Sequence, residues 1–216
     1  MLKRYKTILQ YGEAEHIVEK SRFIGYAKPV ANEEEALAFI ESIKTKHKSA
    51  THNVPAYMIG EKDDIQRYSD DGEPAGTAGV PILDMLKKEE IKNTAIVVTR
   101  YFGGIKLGTG GLVRAYTAAA KLALQEAKMI EKALYDVVGI KIDYTLLGKV
   151  QNELMGKGYT IKDTIFEDKV NLSVYVAVEH SKQMIHNITN LTNGKADIHV
   201  VDTLYLNEYH GRLMKE

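Results

Sequence analysis

Apolar and polar positions along the chain change period several times, and each period predicts an element. From Asn32, a residue suited to cap a helix, Glu35 follows at the capping-box spacing. Ala36, Phe39, Ile40 and Ile43 then fall at i, i+3, i+4 and i+7, which predicts a helix with one apolar face. His52 to Ile59 reads as a strand, and Pro55 near its start points to an edge position or a strand entrance. Pro81 suits the first turn of a short helix over Ile82 to Lys88. Ala95 to Val98 is an unbroken apolar run, the pattern of a strand covered on both faces. Leu112, Ala115, Tyr116, Ala119, Leu122, Ala123, Ala127 and Ile130 keep helical period. Their small side chains predict a helix lying close against a sheet.

Beyond Lys132 the pattern becomes strand (Val137 to Tyr144), helix (Leu147, Val150, Leu154), strand (Tyr159 to Phe166) and turn. Val170, Leu172, Val174, Val176 and Val178 alternate strictly, as a half-buried strand does. Met184, Ile185, Ile188 and Leu191 give a second helix stopped at Asn193-Gly194, and Ile198 to Leu206 a last strand. The order β-α-β-β-α-β is a split, ferredoxin-like plan. The class is therefore α+β with two domains, residues 1–134 and 135–216.

The chain has 216 residues, 44% hydrophobic and 27% charged, so it is expected to fold throughout. Lys+Arg and Asp+Glu both number 29, which argues against a protein that coats nucleic acid by bulk charge and leaves room for a local basic patch. Cysteine is absent, which removes disulfides, thiol nucleophiles and Cys-ligated metals. No apolar run is long enough to span a bilayer, and the first residues are too polar for a signal-peptide core; cytoplasmic localisation and no membrane partner are the expectations.

Two glycine-rich loops lead into helices. The first runs from Ser69 to Pro81 and carries the acidic cluster Asp70, Asp71 and Glu73. The second holds Arg100, Tyr101, Phe102, Gly103, Gly104, Lys106, Gly108, Gly110, Gly111 and Arg114. Glycine lets backbone N–H groups approach a ligand, and a helix N-terminus adds unpaired N–H groups and the positive end of the dipole. With three fixed cations alongside, this second set is the candidate ligand site, for phosphate or nucleic acid, and Tyr101 and Phe102 offer stacking surface. Neither a P-loop nor a G-x-G-x-x-G pattern is present, since Val113 holds the last place of the latter. No cofactor is expected. The acidic trio, with His47 and His52, raises a metal reading; neither an HExxH nor an EF-hand spacing is present, and the expected role is an ion pair from Asp70 or Asp71 to Arg100 or Arg114. Ser69 or Thr77 with His47 or His52 can be drawn as a triad, but nothing in the spacing demands it, so catalytic residues stay unassigned.

The segments Ser69–Pro74, Gly76–Gly79 and Val98 to Tyr116, with Lys20-Ser21-Arg22-Phe23-Ile24 and Ala50-Thr51-His52-Asn53, resemble the signatures of the YigZ/IMPACT family, in its bacterial two-domain form. The resemblance covers roughly residues 15–130, and the C-terminal plan is similar to the second domain of the bacterial members. It implies a first domain of the ribosomal protein S5 domain 2-like type and a second resembling domain V of elongation factor G. The RWD domain of the eukaryotic members has no counterpart here, so their link to a starvation-sensing kinase does not carry over. By analogy the pair suggests RNA or ribosome contact and an accessory, regulatory role in translation. Two alternatives stand beside it: a hydrolase acting on a small phosphorylated or nucleotide substrate, and a non-catalytic module docking a protein partner through the C-terminal domain.

Overall fold

The computed structural model describes residues 1–214. The chain divides into two compact units, Met1–Glu131 with Tyr209–Arg212, and Lys132–Glu208 with the chain end from Leu213. In the first unit β1 (Arg4–Ile8), β2 (Gly12–Val18) and β3 (Ser21–Pro29) precede α1 (Glu33–Lys46). Then come β4 (His52–Ile59), β5 (Ile65–Tyr68), α2 (Gly79–Glu89), β6 (Thr94–Tyr101) and α3 (Gly108–Glu126). In the second unit β7 (Met129–Ile142), α4 (Leu147–Gly156), β8 (Thr160–Phe166), β9 (Val170–Ala177), α5 (Val178–Leu191) and β10 (Asp197–Tyr209) follow, and β11 (Arg212–Leu213) closes the described chain.

The first sheet has the order β2-β3-β6-β4-β5, with antiparallel neighbours. Its two faces bury separate cores. Phe39, Ile40 and Ile43 of α1 pack with Tyr26, Tyr57 and Val97 on one side. On the other, α2 and α3 cover Phe23, Val54, Met58, Ile96 and Val98. That double cover explains the unbroken apolar run in β6. Asn32 caps α1 as its spacing predicts, accepting from the Glu35 amide at 2.9 Å. β4 lies between β6 and β5, but its ladder with β5 begins only at Ala56, so Pro55 sits just outside it and costs no pairing.

The close helix–sheet approach expected from the alanine face is present. A Cβ on Gly25 would lie 2.2 Å from the Ala119 carbonyl oxygen, and one on Gly12 would lie 2.4 Å from that of Ala123. The helical period does not reach Ile130, however. α3 stops at Glu126, Lys128 adopts φ +58°, and Ile130 already belongs to β7. The amides of Leu9 and Gln10 take the last carbonyls at Ala127 and Lys128, which closes the helix end.

In the second unit the strand order is β10-β7-β9-β8, with β9 antiparallel to both neighbours, as a ferredoxin-like fold requires. Val150 and Leu154 of α4 and Met184 and Ile188 of α5 cover one face, on Val138, Ile140, Leu172 and Val174.

Candidate functional site

The antiparallel register gathers the motif segments at one end of the first sheet. Arg100 lies opposite Phe23 on one side and opposite His52 on the other. The loop from Ser69 folds over this end, and its three acids take three different positions. Asp70 accepts from the amides of Gly76, Ala78 and Gly79 at 2.8, 3.1 and 2.8 Å. It thereby caps α2, whose own N-cap, Ala78, has no side-chain acceptor. Gly79 is needed for this approach, since a Cβ there would fall 2.6 Å from the Ser69 carbonyl oxygen. Asp71, at φ +47°, turns its carboxylate to the Asn53 amide (2.6 Å) and stands 3.7 Å from Lys44 Nζ. Its carbonyl accepts from His52 Nδ1 at 2.7 Å, which fixes the His52 tautomer.

Glu73 is the acid that meets Arg100. Its Oε1 accepts from Arg100 Nη1 at 2.6 Å and from the Tyr116 hydroxyl at 2.7 Å, with His52 Nε2 at 3.7 Å. The two side chains of the ion pair are only 3% and 6% exposed. Burial, and then the hydrogen bond to Glu73, push the Tyr116 hydroxyl far above its ordinary range. The Arg100 guanidinium lies 5.3 Å from each of the Phe23 and Phe102 ring centres, and its Nε is buried without a partner. The expected pairing of Asp70 or Asp71 with an arginine is thus corrected to Glu73–Arg100. Asp70 faces the amides that start α2 and Asp71 is turned onto β4, so neither reaches a guanidinium.

A second polar group stands nearby. His47, at the C-terminal end of α1, shares hydrogen bonds with the hydroxyls of Tyr26 (2.5 Å) and Tyr101 (2.8 Å). Burial, aided by Lys46, holds its pKa below the ordinary histidine value.

The other end of the second loop is built differently. Gly103 presses on the β2–β3 turn, where a Cβ would lie 2.1 Å from the Lys20 carbonyl carbon. That two-residue turn puts Glu19 and Lys20 at φ +46° and +66°, a primed geometry usually reserved for Asn-Gly. Gly104 and Gly108 also adopt positive φ, and nothing crowds either. Among the described residues no side chain accepts the first N–H groups of α3, and its first turn holds no acid. Arg114 Nη1 folds back to within 3.5 Å of where a Gly110 Cβ would stand. Lys106 and Arg114 are exposed, and no acid among the described residues pairs with either. Both line an open cleft of about 700 Å³ beside the outer side of α3, with Gly111.

The two loops therefore meet at Arg100–Glu73, while the uncommitted cations lie further along, at Lys106 and Arg114. Tyr101 is held by His47, and Phe102 is 46% exposed above Arg100. Tyr116 reads from its spacing as a core residue, and only the structure reveals its bond to Glu73. His16 and Glu19, on the cleft wall, carry no motif signal because they come from a separate hairpin. Among the described residues, no three His, Asp or Glu side chains gather with metal-binding geometry, and no helix is long and apolar enough to cross a membrane.

Comparison with known proteins gives concordant results. Residues 19–124 match the family described as the Impact N-terminal domain, and residues 140–195 match a domain of unknown function, DUF1949. The chain is 46% identical over 206 residues to "IMPACT family member YvyE" of Bacillus subtilis, covering 95% of each chain. It is 38% identical over 151 residues to "IMPACT family member YigZ" of Escherichia coli, covering 66% of this chain and 74% of that one. A solved structure described as a hypothetical protein matches with a TM-score of 0.59 and 29% identity, over 94% of this chain and 99% of the other.

Proposed function

The chain belongs to the IMPACT family, and from that premise we propose that it is an RNA- or ribosome-associated accessory protein of translation that holds phosphate groups at the glycine-rich start of α3. The observation that carries this reading is the pairing of Lys106 and Arg114, both exposed and without acidic partners among the described residues, with a helix start whose N–H groups none of their side chains caps. Such a start attracts anions through its N–H groups and its dipole, and two free cations reinforce it. Neutral net charge fits recognition through a patch rather than through the whole surface. Exposed Phe102 adds an aromatic face close by. Arg100 serves as a positioning residue in this reading, because its charge is already neutralised by Glu73. The resemblance to elongation factor G that the family motifs imply for the two-domain plan supports the ribosome as the source of the RNA.

The hydrolase alternative would draw on Asp70, Asp71 and Glu73. Asp70 is engaged by three amides, Asp71 by one amide and Glu73 by Arg100 and Tyr116, so no observation favours them as a base.

Filter binding of the full chain to ribosomal RNA across a salt series tests the proposal. Affinity should fall steeply with salt, and Lys106→Ala or Arg114→Ala should each lower the log–log slope by about 1. Undetectable binding at low salt, or affinity indifferent to both substitutions, would overturn it.

A further inference from the structure

The cleft beside α3 is larger than a phosphate group needs. Its volume of about 700 Å³ falls within the roughly 300–1,000 Å³ typical of small-molecule sites. Its lining is also divided in character. Val18, Leu107 and Ala118 give it an apolar surface, Lys106 and Arg114 bring two positive charges, and Glu19 brings one negative charge. Like the two cations, Glu19 has no hydrogen-bond or ion-pair partner among the described residues.

We infer that this cleft seats one unpaired guanine nucleotide of a single-stranded RNA, an inference that rests on the RNA reading above and names what that site selects. A phosphate is repelled by Glu19 and drawn to Lys106 and Arg114, so charge alone sets the nucleotide's direction: phosphate towards the start of α3, base towards the β2–β3 turn. The apolar lining takes the face of the base. A duplex cannot enter, because its bases are stacked and paired, whereas an unpaired strand can splay one out. The carboxylate then chooses among bases. It only accepts hydrogen bonds, through two oxygens side by side. Guanine presents its N1–H and N2–H donors side by side and matches both oxygens. Uracil offers one ring N–H, and adenine and cytosine offer only an amino group on that edge.

The test uses the full chain and three fluorescent probes at one low salt concentration: ten uridines, the same decamer with one central guanosine, and a blunt-ended, fully paired RNA duplex. Anisotropy should show the guanosine decamer binding about tenfold tighter than either other probe, the discrimination expected of one bidentate contact. Glu19→Gln keeps the backbone demand of the turn but replaces one acceptor oxygen by an NH2 donor; it should bring the two decamers within about twofold of each other. Ala118→Leu, which fills the apolar lining, should weaken the guanosine decamer about tenfold. Equal binding of the three probes would overturn the inference while leaving the RNA reading standing. Absence of binding to any probe would remove both.

Discussion

The two glycine-rich loops of the first unit look alike on paper and do opposite work. In the loop from Ser69, every acid is engaged within the fold: Asp70 by three amides, Asp71 by the Asn53 amide, Glu73 by Arg100 and Tyr116. In the loop from Gly103, the charged groups past the sheet end, Lys106 and Arg114, engage no acid among the described residues, and the amides that open α3 have no side-chain cap among them. Glycine permits close approach in both. What differs is what approaches: the protein's own backbone in one, solvent and any guest in the other. A glycine-rich signature therefore marks a place where backbone N–H groups are presented, and only the fate of those groups separates a clasp from a binding site.

The sharpest way to break this contrast is to remove Glu73. Glu73→Ala leaves Arg100 charged and buried without its carboxylate, and losing one partner of a buried pair costs about 3–5 kcal/mol. Urea unfolding read through amide exchange in β4 and β6 should report a loss of that size. Replacing both partners, as Glu73→Leu with Arg100→Met, should cost markedly less, since no uncompensated charge remains. A Glu73→Ala chain as stable as the parent would mean that the cluster is no clasp. Asp70→Ala comes next: removing a helix-capping acceptor costs about 0.5–2 kcal/mol, and three amides place Asp70 at the upper end. Exchange protection should fall first in the opening turn of α2.

How far these roles could be foreseen follows from how local each one is. The cap at Asn32, the alternation through β9 as far as Val176 and the order of elements after Lys132 depend on neighbours a few residues apart, and the structure reproduces them, although Val178, expected in the strand, opens α5. The family motif segments likewise lie together at one end of the first sheet. Which acid meets Arg100 was not legible, because it depends on the path of a loop in which Asp71 turns left-handed and reverses what each neighbour faces. Tyr116 counts as apolar in a periodic pattern, while its hydroxyl acts at long range. Ile130 kept the helical period by coincidence, since the end of α3 is set by β1–β2 amides more than a hundred residues away. Glu19 reaches the cleft only because a hairpin turn without Asn or Gly is held against Gly103.

A smaller effect separates the sheet end from the cleft through pH. Burial lowers the His47 pKa in the folded chain, so the unfolded chain binds that proton more readily. The folded state then has its full stability from this site above the unfolded value, near 6.5, and loses it as pH falls from there towards the depressed folded value. In His47→Gln this component is absent. The drop in unfolding midpoint between pH 7.5 and pH 5.5 should accordingly be smaller in the variant than in the parent. An equal drop would mean that the Tyr26–His47–Tyr101 chain is not what acid attacks.

The smallest expected effect carries the other half of the contrast. If Lys106 and Arg114 hold nothing within the fold, Lys106→Ala and Arg114→Ala should each change stability by no more than about 0.5 kcal/mol, the usual range for surface positions without special contacts. Removing positive charge beside the positive end of the α3 dipole relieves a repulsion, so any change should be towards greater stability, and more clearly at low salt where such terms are unscreened. A folded chain that tolerates or welcomes the loss of both cations while losing RNA would mean that they are kept for a guest at some expense to the fold. A clear destabilisation at either position would instead make this loop a second clasp, and the contrast with Glu73 would disappear.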